Sequence, residues 1–327
     1  MSTIALFGDV HLAPHRLGGT GSVQGLNHRA IAGLSAFAHA CSLGDQIVVL
    51  GDLFDSPRVS HALIARAAGI VRDRKRTYDE EISGGYLADY DPTVLSGNHD
   101  AVETGADDVL GDRVGNSAVA AMPGAVLEPA GKIVSGITIL AVPFRVGPAA
   151  QWWRQDVHRA LALVGVPTSR IVIVTHLGIS DDTTPPWLRD APDQLHYREV
   201  AKVAAEVGAT LVVAGNWHTP AVHTVGDITM IQPGTLVPAG WDDPGLERGY
   251  VLLLDTTTGA MEWRQVPGPR FLQYTVDQAL ALTFEDAQRA AVATGSGATN
   301  GNASANLFVR VRGQDRPGVR KRVEQHL

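Results

Sequence analysis

Thr93-Val94-Leu95-Ser96-Gly97-Asn98-His99-Asp100 sets a short apolar run directly before an amide, an imidazole and a carboxylate. Read as a buried strand with a polar tip, it delivers three metal-type side chains to one place. Taken alone, Asn-His-Asp after a strand is more often a turn that satisfies its own backbone. Its meaning comes from repetition along the chain. Thr3–Phe7 leads into Gly8-Asp9-Val10-His11, and Gln46–Leu50 into Gly51-Asp52-Leu53-Phe54-Asp55. Ile171–Val174 leads into Thr175-His176, and Leu211–Ala214 into Gly215-Asn216-Trp217-His218. Each apolar run reads as a strand buried on both faces, and each ends in oxygen or nitrogen donors.

Helical periodicity fills the gaps between these strands. Ile31, Leu34 and Ala38 share a face from about His28 to Ala40. Ser60 suits the N-cap of a helix to about Arg72, with Leu63, Ile64, Ala67 and Ile70 as its stripe. Gln151–Val164 and Tyr197–Val207 are also expected to be helical, and Ile137–Val142, Ile228–Ile231 and Tyr250–Asp255 to be strands. His15–Gln24, Asp79–Asp91, Pro233–Gly249 and Ser180–Asp193, with Trp187 in its middle, read as loops. Ala101–Gly124 fits either a loop or a weak helix. Strands alternating with helices to about residue 215 imply an α/β fold, and in such sheets ligands bind beyond the carboxyl ends of strands. After Pro267-Gly268-Pro269 the pattern changes to strand Phe271–Val276, helix Thr283–Ala293, strand Leu307–Val311 and helix Pro317–His326. The expected organisation is a large domain over 1–266 and a small β-α-β-α domain over 267–327. Between the last strand and the helix before it, Thr294–Asn306 reads as a Gly/Asn/Ser-rich loop whose Asn302-Ala303-Ser304 is a glycosylation match of little weight.

Composition narrows the class. The chain has 327 residues, 45% apolar and 19% charged, with 35 glycines, which is ample for a large core with many tight turns. One cysteine, Cys41, excludes a disulfide framework or a thiolate metal cluster within a monomer and fits a reducing cytoplasm. Met1 is followed at once by a strand, so no signal peptide is expected, and no apolar run approaches the ~20 residues of a membrane span. The formal charge is −7. A protein that grips DNA alone usually carries a basic face. The dense basic clusters here, Arg72-Asp73-Arg74-Lys75-Arg76 and Arg320-Lys321-Arg322, read first as solvated helix ends. Any grip on nucleic acid is therefore local, assisted by metal ions, or supplied by a partner.

The strand tips together carry Asp9, His11, Asp52, Asn98, His99, His176, Asn216 and His218. Carboxylate, imidazole and amide oxygen suit Mn, Fe, Zn or Mg. One Asp can bridge two cations about 3.5–4 Å apart, the spacing used for in-line attack on phosphorus. Singly, each position has an ordinary reading: Asp9 or Asp52 as a cap or turn residue, His11 or His176 as a core or rim histidine. Asp55 reads as a supporting or loop-anchoring residue rather than a ligand, and His15, His28, His61, His196 and His223 as ordinary histidines. Several independent strand ends carrying the same donor types form a strong signal even though each member is weak.

The blocks at Gly8–His11, Gly51–Asp55, Gly97–Asp100, Thr175-His176 and Gly215–His218 resemble, in order, the five motifs of the calcineurin-like metallophosphoesterase superfamily. Gly51-Asp52-Leu53-Phe54-Asp55-Ser56-Pro57-Arg58, and Gln232-Pro233-Gly234-Thr235-Leu236-Val237 with Arg248-Gly249-Tyr250, are most similar to the SbcD-type nucleases of DNA repair and recombination, phage relatives included. The resemblance covers roughly 1–266; the tail is similar in layout only to the small capping domain of those nucleases. It implies an α/β sandwich of sheets flanked by helices. It also implies two divalent cations, Mn first, with Mg, Fe or Zn as alternatives. One would be held by Asp9, His11, Asp52 and His218, the other by Asp52, Asn98, His176 and residue 216. His99 would be the general acid, oriented by Asp100. The family pattern has histidine where this chain has Asn216. A neutral amide oxygen is a weaker ligand, so the second cation is expected to be held less tightly, whether the position is natural or an inactivating change.

The first reading of function is a metal-dependent DNA nuclease of the cytoplasm, by resemblance a homodimer working with an SbcC-type SMC-like ATPase, with no membrane association. The helix Ser60–Arg72 is a candidate dimer element, though core packing is the simpler account. A second reading keeps the chemistry and takes a small phosphoester such as a cyclic nucleotide. A third, prompted by Asn216, is a catalytically weakened scaffold subunit.

Overall fold

Alternate residues of the first strand, Thr3–Phe7, face different layers. Ile4 and Leu6 pack among the aliphatic side chains between two sheets, while Ala5 and Phe7 pack under a helical layer. This double burial is why the strand reads as an unbroken apolar run. The computed structural model describes residues 2–13, 26–82, 90–100, 117–239, 249–268, 270–275 and 307–312. In chain order these form β1 (Thr3–Phe7), α1 (His28–Ser42), β2 (Gln46–Val49), α2 (His61–Ile82), β3 (Thr93–Leu95), a 3-10 turn over Ala118–Ala121, β4 (Ala125–Val126), β5 (Ala130–Val134) and β6 (Ile137–Val142). There follow α3 (Ala149–Val164), β7 (Ile171–His176), β8 (Gly178–Ser180), α4 (Pro186–Arg189), β9 (Gln194–His196), α5 (Tyr197–Glu206) and β10 (Leu211–Gly215). The last strands are β11 (Ala221–Val225), β12 (Ile228–Gln232), β13 (Tyr250–Asp255), β14 (Met261–Gln265), β15 (Arg270–Thr275) and β16 (Leu307–Arg312).

Two six-stranded sheets carry the site. The first runs β14-β13-β1-β2-β3-β4 and the second β11-β12-β10-β7-β6-β5. Their inner faces meet in an aliphatic layer of Ile4, Leu6, Val48, Leu50, Leu95, Ile139, Val172, Val174 and Val213, all nearly inaccessible to water. The outer face of the first sheet is covered by α1 and α2 through Phe37, Leu63, Ala67 and Val71. That of the second is covered by α3 and α5 through Trp153, Val157, Val200 and Ala204. The result is a four-layer α/β/β/α sandwich, the architecture expected from the sequence. The centres of both sheets are parallel: β1, β2, β3 and β4 in one, β6, β7, β10 and β12 in the other. All of these strands therefore end at one rim.

Local boundaries differ from the sequence reading in ways that have physical reasons. The apolar stripe of α2 stops near Arg72, but the helix continues to Ile82, carried by helix-favouring Arg, Lys and Glu, so residues 79–82 are helix rather than loop. Ser60 accepts the Leu63 N–H and caps it. Of its stripe, Leu63 and Ala67 are buried in the core at zero exposure, while Ile64 and Ile70 pack against that core partly buried. In α1 the unforeseen cap is Asn27, which accepts from Ala30 N–H at 2.9 Å. Antiparallel β5, β11 and β14 are sheet edges with half-exposed residues, and such strands have no unbroken apolar run to announce them. The loop expected over Ser180–Asp193 is ordered at both ends by the parallel pair β8–β9 and contains α4.

In the tail, β15 and β16 pair in parallel. The two tail helices, the loop expected over His15–Gln24, residues 101–116, the motif at Asn302 and the basic cluster at Arg320 lie outside the described residues. Among the described residues, no helix is long and apolar enough to cross a membrane.

Candidate metal centre

The rim where the parallel strands end is built from strained turns. Among the described residues, five non-glycine residues have positive φ: Asp9 (51°), His11 (47°), Asp52 (48°), Ser135 (48°) and Asn216 (76°). Ser135 makes the turn between β5 and β6; the other four all belong to the predicted site. Left-handed backbone at such residues costs about 1–3 kcal/mol each and persists where surrounding structure dictates it. Close approach accounts for the glycines that precede the candidate ligands. A Cβ on Gly51, itself at φ 96°, would lie 2.3 Å from Nδ1 of His176. One on Gly97 would lie 2.0 Å from Oδ1 of Asp52.

Both sheets contribute donors. The first supplies Asp9 and His11 after β1, Asp52 after β2, and Asn98 and His99 after β3; the second supplies His176 from β7 and Asn216 and His218 after β10. Three groups of donor atoms lie within 4.8 Å of one another: Asp9–His11–His218, His11–Asp52–His99 and Asp9–Asp52–His176. Oδ2 of Asp52 lies 4.0 Å from Nε2 of His11 and 3.5 Å from Nε2 of His176, between the two halves of the site. Nε2 of His11 faces Nε2 of His218 at 3.0 Å, and Nε2 of His218 lies 3.8 Å from Asp9. Oδ1 of Asn98 is 2.8 Å from Nε2 of His176. Asp9, His11, Asp52 and His176 are buried, whereas the side chains of His99 and His218 are 43% and 26% exposed. One side of the cluster is thus open to solvent.

Hydrogen bonds behind the donors fix which nitrogen or oxygen faces inward. His176 Nδ1–H donates to the Leu50 carbonyl at 2.7 Å, leaving Nε2 for the cluster. His11 Nδ1 pairs with Oδ1 of Asp55 at 3.1 Å in the same way. Asp55, expected as a support, is that and more: its carbonyl lies 3.3 Å from Nδ1 of His99 and its carboxylate 3.7 Å away. The carboxylate placed beside His99 is therefore that of Asp55, whereas Asp100 accepts from the Gly97 and Phe54 backbone N–H groups. The His99 N–H donates to Oδ1 of Asp52 at 2.9 Å. The Asn216 N–H is shared between both oxygens of Asp9, 3.1 Å from each, and its Nδ2 donates to Asp193 at 2.9 Å.

The electrostatics of the cluster favour positive charge at its centre. Burial pushes the carboxyl of Asp9 up, against the pull of His176 and His218. Burial acts on Asp52 too, but the imidazoles of His176, His11 and His99 outweigh it and hold the carboxyl below its usual range. For His176, burial is overcome by the charges of Asp52 and Asp9, and its pKa rises to about 9. Burial, helped by the charge of Asp52, lifts Asp100 to about 7. The buried carboxylates of Asp9 and Asp52 favour positive charge on His11 and His176. Divalent cations would supply such charge more fully, and a set of carboxylate, imidazole and amide oxygen converging at this range fits Mn, Fe, Zn or Mg.

Every residue of the predicted set lies at this rim. Sequence reasoning missed three neighbours. Asp193 gave no signal beyond membership of an acidic loop. Phe144 stands edge-on to His176, with ring centres 6.4 Å apart. Thr235 donates its hydroxyl to the Asp9 carbonyl at 2.6 Å and so braces the Asp9 turn from behind.

A family model described as Calcineurin-like phosphoesterase matches residues 2–220. No curated protein sequence matches the chain. Similar solved structures include a dimetal phosphatase from Danio rerio, at 12% identity over 81% of this chain and 96% of that one, TM-score 0.44. An archaeal phosphodiesterase aligns at 12% identity over 81% and 99% of the two chains, TM-score 0.35. The phosphopantetheinyl hydrolase of Mycobacterium tuberculosis aligns at 14% identity over 71% and 89%, TM-score 0.39.

Proposed function

The chain belongs to the calcineurin-like phosphoesterase family, and we propose that it is a two-metal phosphodiesterase that cuts DNA, the nuclease subunit of an SbcCD-type assembly. That it is a metallophosphoesterase-type hydrolase follows from the family and from the donors at the rim. The observation that carries the reaction class is the convergence of Asp9, Asp52, His176 and His218 from two sheets onto one open rim. When bound, a pair of divalent cations lowers the pKa of a water and neutralises charge on the phosphoryl oxygens. The residues do the rest. Asp52 stands between the two imidazole groups and can serve both cations. Asp55 holds His11, and the Leu50 carbonyl holds His176, each with one nitrogen turned inward. His99 spends its backbone N–H on Asp52 and keeps its ring half exposed at the open side, which supports a role in protonating the departing oxygen.

The DNA substrate rests on the similarity of Gly51–Arg58 and Gln232–Tyr250 to SbcD-type nucleases. It is also supported by Trp187, 81% exposed on the short helix α4, where an unpaired base has an aromatic face to stack on. A net charge of −7 fits a subunit whose hold on DNA is shared with an SbcC-type ATPase and a second copy of itself. The test is parallel incubation, with Mn2+, of the full chain with labelled duplex DNA, single-stranded DNA and 2′,3′-cyclic nucleotides. Degradation of DNA is expected. Cleavage of cyclic nucleotides alone would replace the substrate class, and no cleavage of any would replace the enzyme by a scaffold.

A further inference from the structure

We propose that Asp193 is a positioning residue that turns Asn216 into a serviceable ligand for the second cation, offsetting the histidine that the family pattern has there. The inference rests on the two-cation reading given above. Its core is the contact between Asn216 Nδ2 and Oδ2 of Asp193 at 2.9 Å. An ionised carboxylate only accepts hydrogen bonds, so the amide must present its nitrogen to Asp193. The oxygen end is then forced to the opposite side. Without such a partner an asparagine amide has two orientations, and one of them aims N–H groups at a cation.

The rest of Asn216 is held too tightly to undo this. Its φ is 76°, and its N–H is shared between the two oxygens of Asp9. The preceding Gly215 is so close to the centre that a Cβ there would lie 2.9 Å from Nδ1 of His176 and 3.1 Å from Oδ2 of Asp9. Residue 216 therefore starts beside two members of the Asp9–Asp52–His176 group. Asp193 is anchored to the same region, since its carbonyl accepts from Gly178 N–H at 3.1 Å, just past His176. A carboxylate on the amide nitrogen also draws electron density toward the amide oxygen and makes it a better donor. Partners behind a ligand are commonly worth about 10–100-fold in metal affinity.

The experiment is Mn2+ titration of the full chain, followed by the paramagnetic resonance of free Mn2+ and by calorimetry, which gives stoichiometry and two dissociation constants without reference to turnover. For Asp193→Ala the second constant is expected to weaken about 10–100-fold while the first stays as in the wild type. Asp193→Asn, whose side-chain oxygen can still accept from Nδ2 of Asn216, is expected to recover most of the loss. Asp193→Ser, too short to reach the amide, replaces the alanine variant should that one fail to fold. Unchanged constants in Asp193→Ala, or equal weakening of both, would each overturn the proposal. A wild-type chain that binds fewer than two Mn2+ would overturn the two-cation reading itself, which is a separate and recognisable result.

Discussion

Gly97→Ala adds one methyl group and no charge, yet it should disable the centre. Its Cβ would lie 2.0 Å from Oδ1 of Asp52, 2.5 Å from the Asp52 backbone nitrogen and 2.7 Å from its carboxyl carbon. Ordinary contact begins near 3.4 Å, so the carboxylate must retreat by more than 1 Å. Metal–ligand bonds tolerate only about 0.2 Å, and Asp52 is the side chain placed between both imidazole groups. Swinging it away cannot relieve the clash, because its backbone is also in the path. A displacement of about 1 Å at a reacting centre costs about 10²-fold in rate, equivalent to about 2.7 kcal/mol of barrier. We expect Gly97→Ala to lose Mn2+ affinity and at least that much turnover. Gly69→Ala is the control: it lies inside α2 with nothing within 4 Å of the new Cβ, and it should stabilise the fold by about 0.5–1 kcal/mol. The readouts are Mn2+ titration, DNA cleavage and thermal melting of the metal-free proteins. Wild-type Mn2+ affinity in a folded Gly97→Ala would refute the placement of Asp52 at the heart of the site.

His99→Ala should lower turnover about 10²–10⁴-fold with metal content intact, whereas Asp52→Ala should empty the site; metal analysis beside kinetics separates the two. Asp55→Asn, which weakens the support of His11, should cost about 10–100-fold in metal affinity, seen by titration. The pKa of His176 lies near 9, and its proton must leave before Nε2 can ligate. Metal affinity should therefore rise with pH up to about 9, by about tenfold per unit for each proton displaced, and flatten above it. Arg145 donates to Asp156 at 2.6 Å and to Glu128 at 2.7 Å. Arg145→Met leaves Asp156 buried without its cation and should destabilise the fold by about 3 kcal/mol, measured by urea unfolding.

Much of the site was legible because its signals are local in sequence. An unbroken apolar run followed by glycine and a donor identifies a doubly buried strand and its tip, and the parallel topology brings all such tips to one rim. What could not be read is whatever depends on contact between distant segments. The Asp193–Asn216 and Thr235–Asp9 contacts span loops of unrelated composition. The exchange of Asp100 for Asp55 beside His99 is decided by the path of the Gly97–Asp100 turn, which aims the carboxylate of Asp100 back at the backbone. The edge strands escaped because β11 alternates only weakly between partly buried and exposed residues and β14 is exposed along most of its length. The far end of α2 escaped because helix propensity, not an apolar stripe, sustains it.

The layer between the two sheets is made of aliphatic side chains, whose attraction has no direction. Such a layer resists separation, and its close packing resists large movements, but contacts without direction do not by themselves fix polar atoms to the about 0.5 Å that a working site tolerates. Travel of one sheet over the other by that much would pull His176 and His218 out of register with Asp9 and Asp52. The directional bonds at the rim, His176 to the Leu50 carbonyl and the Asn216 N–H to Asp9, act as dowels that stop this travel. Bound cations would lock the two leaves a second time, so the rim that carries the candidate metal centre also helps to keep the two sheets aligned.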